Sequence, residues 1–403
     1  MNRTLSLAIL VAVVTTHAVY AANSSLVVAH TFDCGSGQFT TCPQGGSPET
    51  LIQASDGNFY GAAQVTQLGF SQPYGGTLFS ISPAGRFTLL YTFQPGSQNS
   101  YPDGSVPGPM IEGPDGSLYG TTFYGGTQGF GVLYRFSRAA GFQVLHQFGT
   151  APNFADGFPG GSLVAGQDGN VYGVTAFGGT GSCYQSGCGT LFRVTPSTGK
   201  YEVVFNFGGS NGSFPSFLLV APDGTLVGLA GGLFHYTPTT GAFKLFPLSF
   251  PAFAGLPSSP INMILGPNQE LYGLYTIYDR GGAGMYHVAL DGTGLVLFPE
   301  YRTTRSSGDP QGIVLASDGN FWVPDFTGGS GVGDLITLSP STGQVLQTLS
   351  FFGGAAPVGS DAAALIQAKD GTFWGSSFYG GKAPAGEVGY GTVYRLSAGL
   401  PAP

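Results

Sequence analysis

The sequence predicts an all-β protein, a seven-bladed β-propeller of four-stranded blades closed by its own N-terminal strand. Three observations predict it. One six-residue motif recurs seven times. Each recurrence lies inside a unit that reads as four strands. The last unit lacks its fourth strand, and a strand of the missing kind stands alone at the start of the chain.

The motif reads Asp-Gly-x-Leu-Tyr-Gly, as in Asp115 to Gly120, and it begins at Asp56, Asp115, Asp168, Asp223, Asn268, Asp318 and Asp370. Successive starts are 59, 53, 55, 45, 50 and 52 residues apart, which suits one repeated unit with loops of variable length. Within a unit an apolar strand such as Leu163-Val164-Ala165 leads into the Asp-Gly pair, whose residues tolerate the positive φ of a tight hairpin. A second strand follows at once. A Gly-rich loop such as Phe123-Tyr124-Gly125-Gly126 comes next, then a third strand (Val132 to Phe136) and a fourth (Phe142 to Phe148). We label these strands a to d. The last unit stops after strand c, at Thr392 to Leu396, whereas Leu26 to Phe32 matches strand d of other units, for example Val144 to Phe148. Pairing the two ends closes the ring and removes the exposed sheet edge.

The chain has 403 residues, 8% of them charged and 13% aromatic, a composition that supports a large core and speaks against disorder. Arg3, the apolar run Leu5 to Val14 and the small-residue end Val19-Tyr20-Ala21 read as a secretory signal over residues 1–21, cleaved after Ala21 or Ala22. Residues 22–403 are then expected to form a single propeller domain, exported to the periplasm or the exterior. With no second long apolar run and no apolar anchor in Gly399-Leu400-Pro401-Ala402-Pro403, no membrane insertion is expected. A net charge of −8 speaks against nucleic-acid or anionic-membrane binding. In an exported protein four cysteines predict two disulfides. The local pairings Cys34–Cys42 and Cys183–Cys188 are favoured over the other two connectivities.

The repeat, Asp-Gly-x-Leu-Tyr-Gly followed by Tyr-Gly-Gly and Gly-Thr-Val-Phe-like strands, resembles the Gloeobacter–Verrucomicrobia (GloVer) tandem repeat of exported bacterial proteins. The pattern is sharpest in blades 1, 2, 3 and 7; in blade 5, Asn268-Gln269-Glu270 replaces Asp-Gly-x. The resemblance implies an exported repeat protein and supplies no reaction. Trp-Asp and kelch-type propellers fit less well, since no Trp-Asp pair occurs.

Most chemistry-bearing residues have a scaffold reading beside the functional one. The Asp-Gly pairs invite calcium, but they lack the density of oxygen ligands that a calcium loop needs, and a hairpin explains them. The four histidines of the mature chain sit at repeat-equivalent places: His30 and His146 in strand d, where Tyr91 and Phe205 stand elsewhere, and His235 and His287 in strand c, where Arg135, Arg193 and Arg395 stand. No phosphate-binding Gly-Lys-Ser/Thr loop or His-Glu-x-x-His helix occurs, and no cofactor or metal is predicted.

Strand order places the d-to-a and b-to-c connections on one face of the ring, the loop face, and the a-to-b and c-to-d turns on the other, the turn face. The loop face is expected to carry both disulfide loops, Asp103, Asp156, Asp309 and Asp361 near the central opening, with repeat-associated turn chemistry as the other reading of these four Asp residues, and a ring of aromatics, Tyr124, Phe177, Tyr278, Phe326 and Tyr379. Those aromatics read either as stacking surfaces for sugars or as wedges between blades. Blades 5 and 6 depart most from the repeat: Asp279 and Arg280 interrupt a Gly-Gly loop, and Glu300, Arg302, Arg305, Asp309, Asp325 and Asp334 follow. Here Arg280, Arg302 and Arg305 read as ligand contacts, with Asp279, Asp309 and Asp325 as orienting or acid–base groups; a solvated charged loop is the plainer reading. The function expected is binding of carbohydrate, cell-wall glycan or another small polar ligand by a monomer. A glycan lyase or hydrolase with two carboxyl groups flanking the bond, and an envelope interaction module, are the alternatives.

Overall fold

The structure, a computed structural model, describes residues 25–34, 41–67, 75–94, 101–149, 156–183, 187–248, 250, 258–277, 282–301, 312–325, 333–350, 359–381 and 389–403. They form seven antiparallel sheets, the blades, with strand order a-b-c-d in each. Blade 1 comprises Thr41–Gln53, Phe59–Gln67, Thr77–Ile81 and Phe87–Thr92. Blade 2 comprises Ser105–Glu112, Leu118–Tyr124, Val132–Ser137 and Gly141–Gln147, and blade 3 comprises Asp156–Ala165, Val171–Gly178, Thr190–Thr195 and Lys200–Asn206. Blade 5 is the irregular one, with strand a split into Ser258–Pro260 and Ile264–Leu265 and strand d only Val296–Leu297. In blade 7, Ser360–Gln367, Phe373–Tyr379 and Thr392–Ser397 are joined by Ser25–Thr31, which pairs from Ser25 against Ser397 to Thr31 against Thr392. The ring is therefore closed by the N-terminal strand. The signal segment lies outside the described residues.

Each motif residue has a mechanical role. Asp56 accepts the backbone N–H of Asn58 at 3.0 Å and the Tyr60 hydroxyl at 2.8 Å, while Gly57 takes φ +85. Asp168 does the same for Asn170 and Tyr172, at 3.2 and 2.7 Å. The carboxylate is a brace: one oxygen closes the turn, and the other anchors the aromatic that begins strand b. The last glycine of the motif serves a different need. In blade 2 Gly120 lies across from Tyr134 and in blade 7 Gly375 from Tyr394, and a Cβ at either would collide with the facing ring. Blade 6 has Val323 at this place, and its cross-strand partner is Ile336 in place of an aromatic. Backbone and ring thus share one volume, and the exception exchanges both members of the pair.

The core lies between blades. Seven apolar clusters are found among the described residues, each joining two neighbouring blades. The cluster between blades 7 and 1 holds fully buried Phe32 and Phe79 together with Trp374, which stacks on Phe59 at 4.0 Å. Strand d adds a second set of contacts. His30 stacks on Phe87, Tyr91 on Phe142, His146 on Tyr201 and Phe205 on Phe243, all with centroids 3.6 to 3.9 Å apart and planes within 9° of parallel. His30 and His146 are links in this interblade stack, as their repeat-equivalent positions predict.

Candidate ligand-binding face

Both disulfides form with the expected partners. Cys34–Cys42 closes the d-to-a connection entering blade 1, and Cys183–Cys188 closes the b-to-c loop of blade 3, so both lie on the loop face. The top of strand a on that face is built by a backbone device. Ser47, Val106, Phe158, Phe214 and Asp361 all adopt left-handed φ, between +48 and +63, and the first four each precede a proline. A side chain disfavours this conformation by about 1–3 kcal/mol. Cross-blade hydrogen bonds offset it: the Ser47 N–H reaches the Tyr390 carbonyl at 2.7 Å, Val106 reaches Gly75 at 2.7 Å and Phe214 reaches Cys188 at 2.8 Å. In each case the acceptor is the end of the preceding blade's b-to-c loop. The device ties neighbouring blades together, and in blades 1 and 2 its residues, Ser47 and Val106, line a cleft on the face.

Over blades 7, 1 and 2 these elements enclose a cleft of about 280 Å³. Tyr124 and Tyr379, at the ends of strand b in blades 2 and 7, flank it with Phe378; both tyrosines are nearly half exposed, at 49% and 45%. Val65 and Val106 supply aliphatic surface, and the polar lining is Ser47 and Gln64. Behind the lining, Gln64 Nε2 donates to Glu49 Oε2. Burial pushes the Glu49 carboxyl above its ordinary range, against the opposing effect of that hydrogen bond.

Other residues anticipated on this face are used differently. Phe177 is half-buried, edge-on to Phe158 and to Phe214 at 5.7 Å each, so it wedges blades 3 and 4 rather than offering a platform. The aromatic position therefore serves both anticipated purposes, in different blades. Asp103 and Asp156 are engaged by hydrogen bonds to residues close in the chain, in keeping with the turn reading. Asp103 accepts the Tyr91 hydroxyl at 2.5 Å and the Gln94 N–H at 3.0 Å. Asp156, 2% exposed, accepts His146 Nε2 at 2.6 Å and the Gly149 N–H at 3.0 Å. Burial pushes the Asp156 carboxyl up, but His146 and Gly149 outweigh it and hold the group below its ordinary value. Asp361 occupies the left-handed position of blade 7, half-buried, with its carboxyl pushed up by burial.

Of the charged cluster in blades 5 and 6, Asp279, Arg280, Arg302, Arg305 and Asp309, together with aromatic Tyr278 and Phe326, lie outside the described residues. Asp325 is described: it is 2% exposed and directly opposite Asp334, itself 3% exposed, at the loop-face end of blade 6. His287 Nδ1 lies 3.3 Å from Glu270, beneath the turn of blade 5. Gly208-Gly209-Ser210-Asn211-Gly212 has the spelling of a serine-nucleophile elbow, but it is a turn closed by Gly209 N–H to Gly212 O at 3.1 Å, between strand d of blade 3 and strand a of blade 4. Sequence reading missed Ser47, Gln64, Val65, Val106 and Phe378. The signal for two of them was present in the Gly-x-Ser-Pro and Gly-Ser-Val-Pro spellings that open strand a.

Among the described residues no group of three or more His, Cys, Asp or Glu is arranged to hold a metal ion, and no helix is long and apolar enough to cross a membrane. A closed ring of seven blades whose loop face carries an aromatic cleft defines the class, a seven-bladed β-propeller. Within that class the chain belongs to the Gloeobacter/Verrucomicrobia repeat family, whose pattern matches residues 47–286, from blade 1 to strand c of blade 5. No curated protein sequence matches it. A fungal alcohol oxidase of the AA5 family, solved in complex with copper, is similar in fold with a TM-score of 0.55 and 13% identity over 93% of this chain and 79% of its own. An oligogalacturonate lyase in complex with manganese gives 0.53 and 13% over 94% and 98%. The extracellular domain of BT3049 from B. thetaiotaomicron, assigned as a hybrid two component system, gives 0.52 and 13% over 88% of this chain, which spans only 40% of that one. At such identities the likeness is one of fold.

Proposed function

We propose that the protein is an exported carbohydrate-binding propeller: residues 1–21 direct export, residues 22–403 form one domain, and the loop face holds the sugar. The observation that carries this reading is the pair of half-exposed tyrosines, Tyr124 and Tyr379, flanking a cleft that, among the described residues, has no charged side chain in its lining. Aromatic faces beside neutral polar groups match the alternation of C–H and O–H surfaces on a sugar ring. Two disulfides, each within one loop, are in keeping with an oxidising compartment. The fold likeness to an extracellular domain points the same way.

A glycan array with the purified protein, combined with an assay for new reducing ends or unsaturated sugars, tests the reading. Binding without product is expected. The double variant Tyr124→Ala/Tyr379→Ala is expected to lose at least about 30-fold in affinity, from roughly 1–3 kcal/mol per stacking platform, while melting within about 2 °C of the parent. The triple variant Arg280→Ala/Arg302→Ala/Arg305→Ala is expected to keep binding. Loss of binding in the triple variant alone would move the site to blades 5 and 6, and product formation would make the protein a glycan-cleaving enzyme.

A further inference from the structure

The cleft holds two polar side chains, and one of them is fixed from behind. Gln64 donates to Glu49, two residues beyond Ser47 in strand a of blade 1. Among the described residues no Lys, Arg or His forms an ion pair with Glu49. Burial penalises its charged form. A carboxyl there opposes stability, and a hydrophobic residue of similar size would fill the position at less cost. What the carboxylate supplies is orientation. Ionised, it is an acceptor only, so it takes an N–H of the Gln64 amide and leaves Oε1 and the second N–H for the cleft.

We propose that Gln64, positioned by Glu49, is the specificity-determining group of this cleft, and that the ligand is an uncharged oligosaccharide whose ring lies between Tyr124 and Tyr379 and whose hydroxyls are read by the Gln64 amide. This deepens the carbohydrate reading above and rests on it. The charge of the ligand follows from the walls. Among the described residues tyrosine, phenylalanine, valine, serine and glutamine line the cleft, with no Lys or Arg to balance a uronate, and the Glu49 carboxylate stands directly behind the polar end. An acidic sugar brought here would be desolvated against a like charge. At about 280 Å³ the cleft is just smaller than drug-sized ligand pockets, which run from about 300 to 1,000 Å³, and so fits one sugar unit of a longer chain.

The test is calorimetric titration of the full protein with cellohexaose, xylohexaose and mannohexaose as neutral probes and hexagalacturonate as the acidic one. At least one neutral probe should bind, and hexagalacturonate should not. Gln64→Leu should weaken the neutral probe about tenfold or more, the loss of one directed hydrogen bond to ligand. Glu49→Leu should weaken it by a similar factor without lowering the melting temperature, and Glu49→Gln, which keeps an acceptor for the Gln64 amide, should restore most of the affinity. A purely structural Glu49 would instead lower the melting temperature and leave affinity alone. If Glu49→Leu does not fold, Gln64→Leu decides by itself. Preference for hexagalacturonate, or full neutral binding by Gln64→Leu, overturns the proposal while leaving a carbohydrate-binding protein. Absence of binding to any glycan removes the underlying reading as well.

Discussion

The two faces of the ring use the same blade in opposite ways. On the turn face the same side chains recur in the same role, since Asp56, Asp115 and Asp168 each close their own turn and each anchor the tyrosine four residues on. Even the depression of about 170 Å³ between blades 3 and 4 is lined by Asp168, already engaged with Asn170 and Tyr172, and by Asp223, which closes onto the Thr225 N–H at 2.9 Å. On the loop face the backbone recurs and the side chains do not. One left-handed position presents Ser47 in blade 1, Val106 in blade 2, Phe158 in blade 3 and Asp361 in blade 7. A ring of identical units becomes an asymmetric surface by holding the backbone constant where blades are joined and varying what it displays.

The largest expected effect removes the ring that both faces share. Deleting residues 22–33 strips strand d from blade 7 and takes Phe32 out of the core between blades 7 and 1. The truncated protein is expected to lose cooperative melting and to aggregate through the opened edge of Thr392–Ser397. A cooperative transition at the parent's temperature would mean that closure is dispensable.

A smaller effect concerns a loop-face carboxylate that behaves as a turn-face one does. Asp156→Asn should cost about 2–3 kcal/mol near neutral pH, because the buried carboxylate accepts from both His146 and Gly149. The sign with pH follows from the direction of its shift. The folded-state value lies below the ordinary aspartate value of about 3.9, so the unfolded chain binds more protons around that pH. The stabilisation is complete above the ordinary value and is lost as pH falls through the folded one. Denaturant titrations should therefore show the gap between parent and Asp156→Asn narrowing below about pH 4. A constant gap would assign the stability to shape rather than charge.

The smallest expected effect sharpens the contrast between faces. Asp168→Ala leaves a turn N–H and the Tyr172 hydroxyl without their acceptor. Burial pushes the Asp168 carboxyl up, but its hydrogen bonds to Asn170 and Tyr172 outweigh that and hold it low. Partial exposure reduces what these bonds contribute, so the cost should be about 1 kcal/mol, with no change in affinity for any loop-face ligand. A change in ligand affinity would show that the faces are coupled through the blade.

The scaffold was legible in the chain because it is built from local rules repeated. Asp-Gly followed by an apolar pair specifies a braced hairpin wherever it occurs, so six Asp-Gly starts and the Asn268 variant, with its own positive φ of +60, predict seven blades. The match of Leu26 to Phe32 with other d strands predicts closure, since the leftover strand and the missing one are of the same kind. Cysteines five and eight residues apart predict their own pairing. The tertiary structure alone decided how equivalent positions divide. Tyr124, Phe177 and Tyr379 occupy the same place in the unit, yet Phe177 meets Phe158 and Phe214 while the two tyrosines keep open faces over the cleft. Asp103 and Asp156, expected near the central opening, are instead taken up by Tyr91 and His146 in the strand d just before them. Exposure at the aromatic position depends on what the neighbouring blade sets against it. The period of a repeat fixes the place of each residue within its own blade, and closure of the ring decides what stands opposite it.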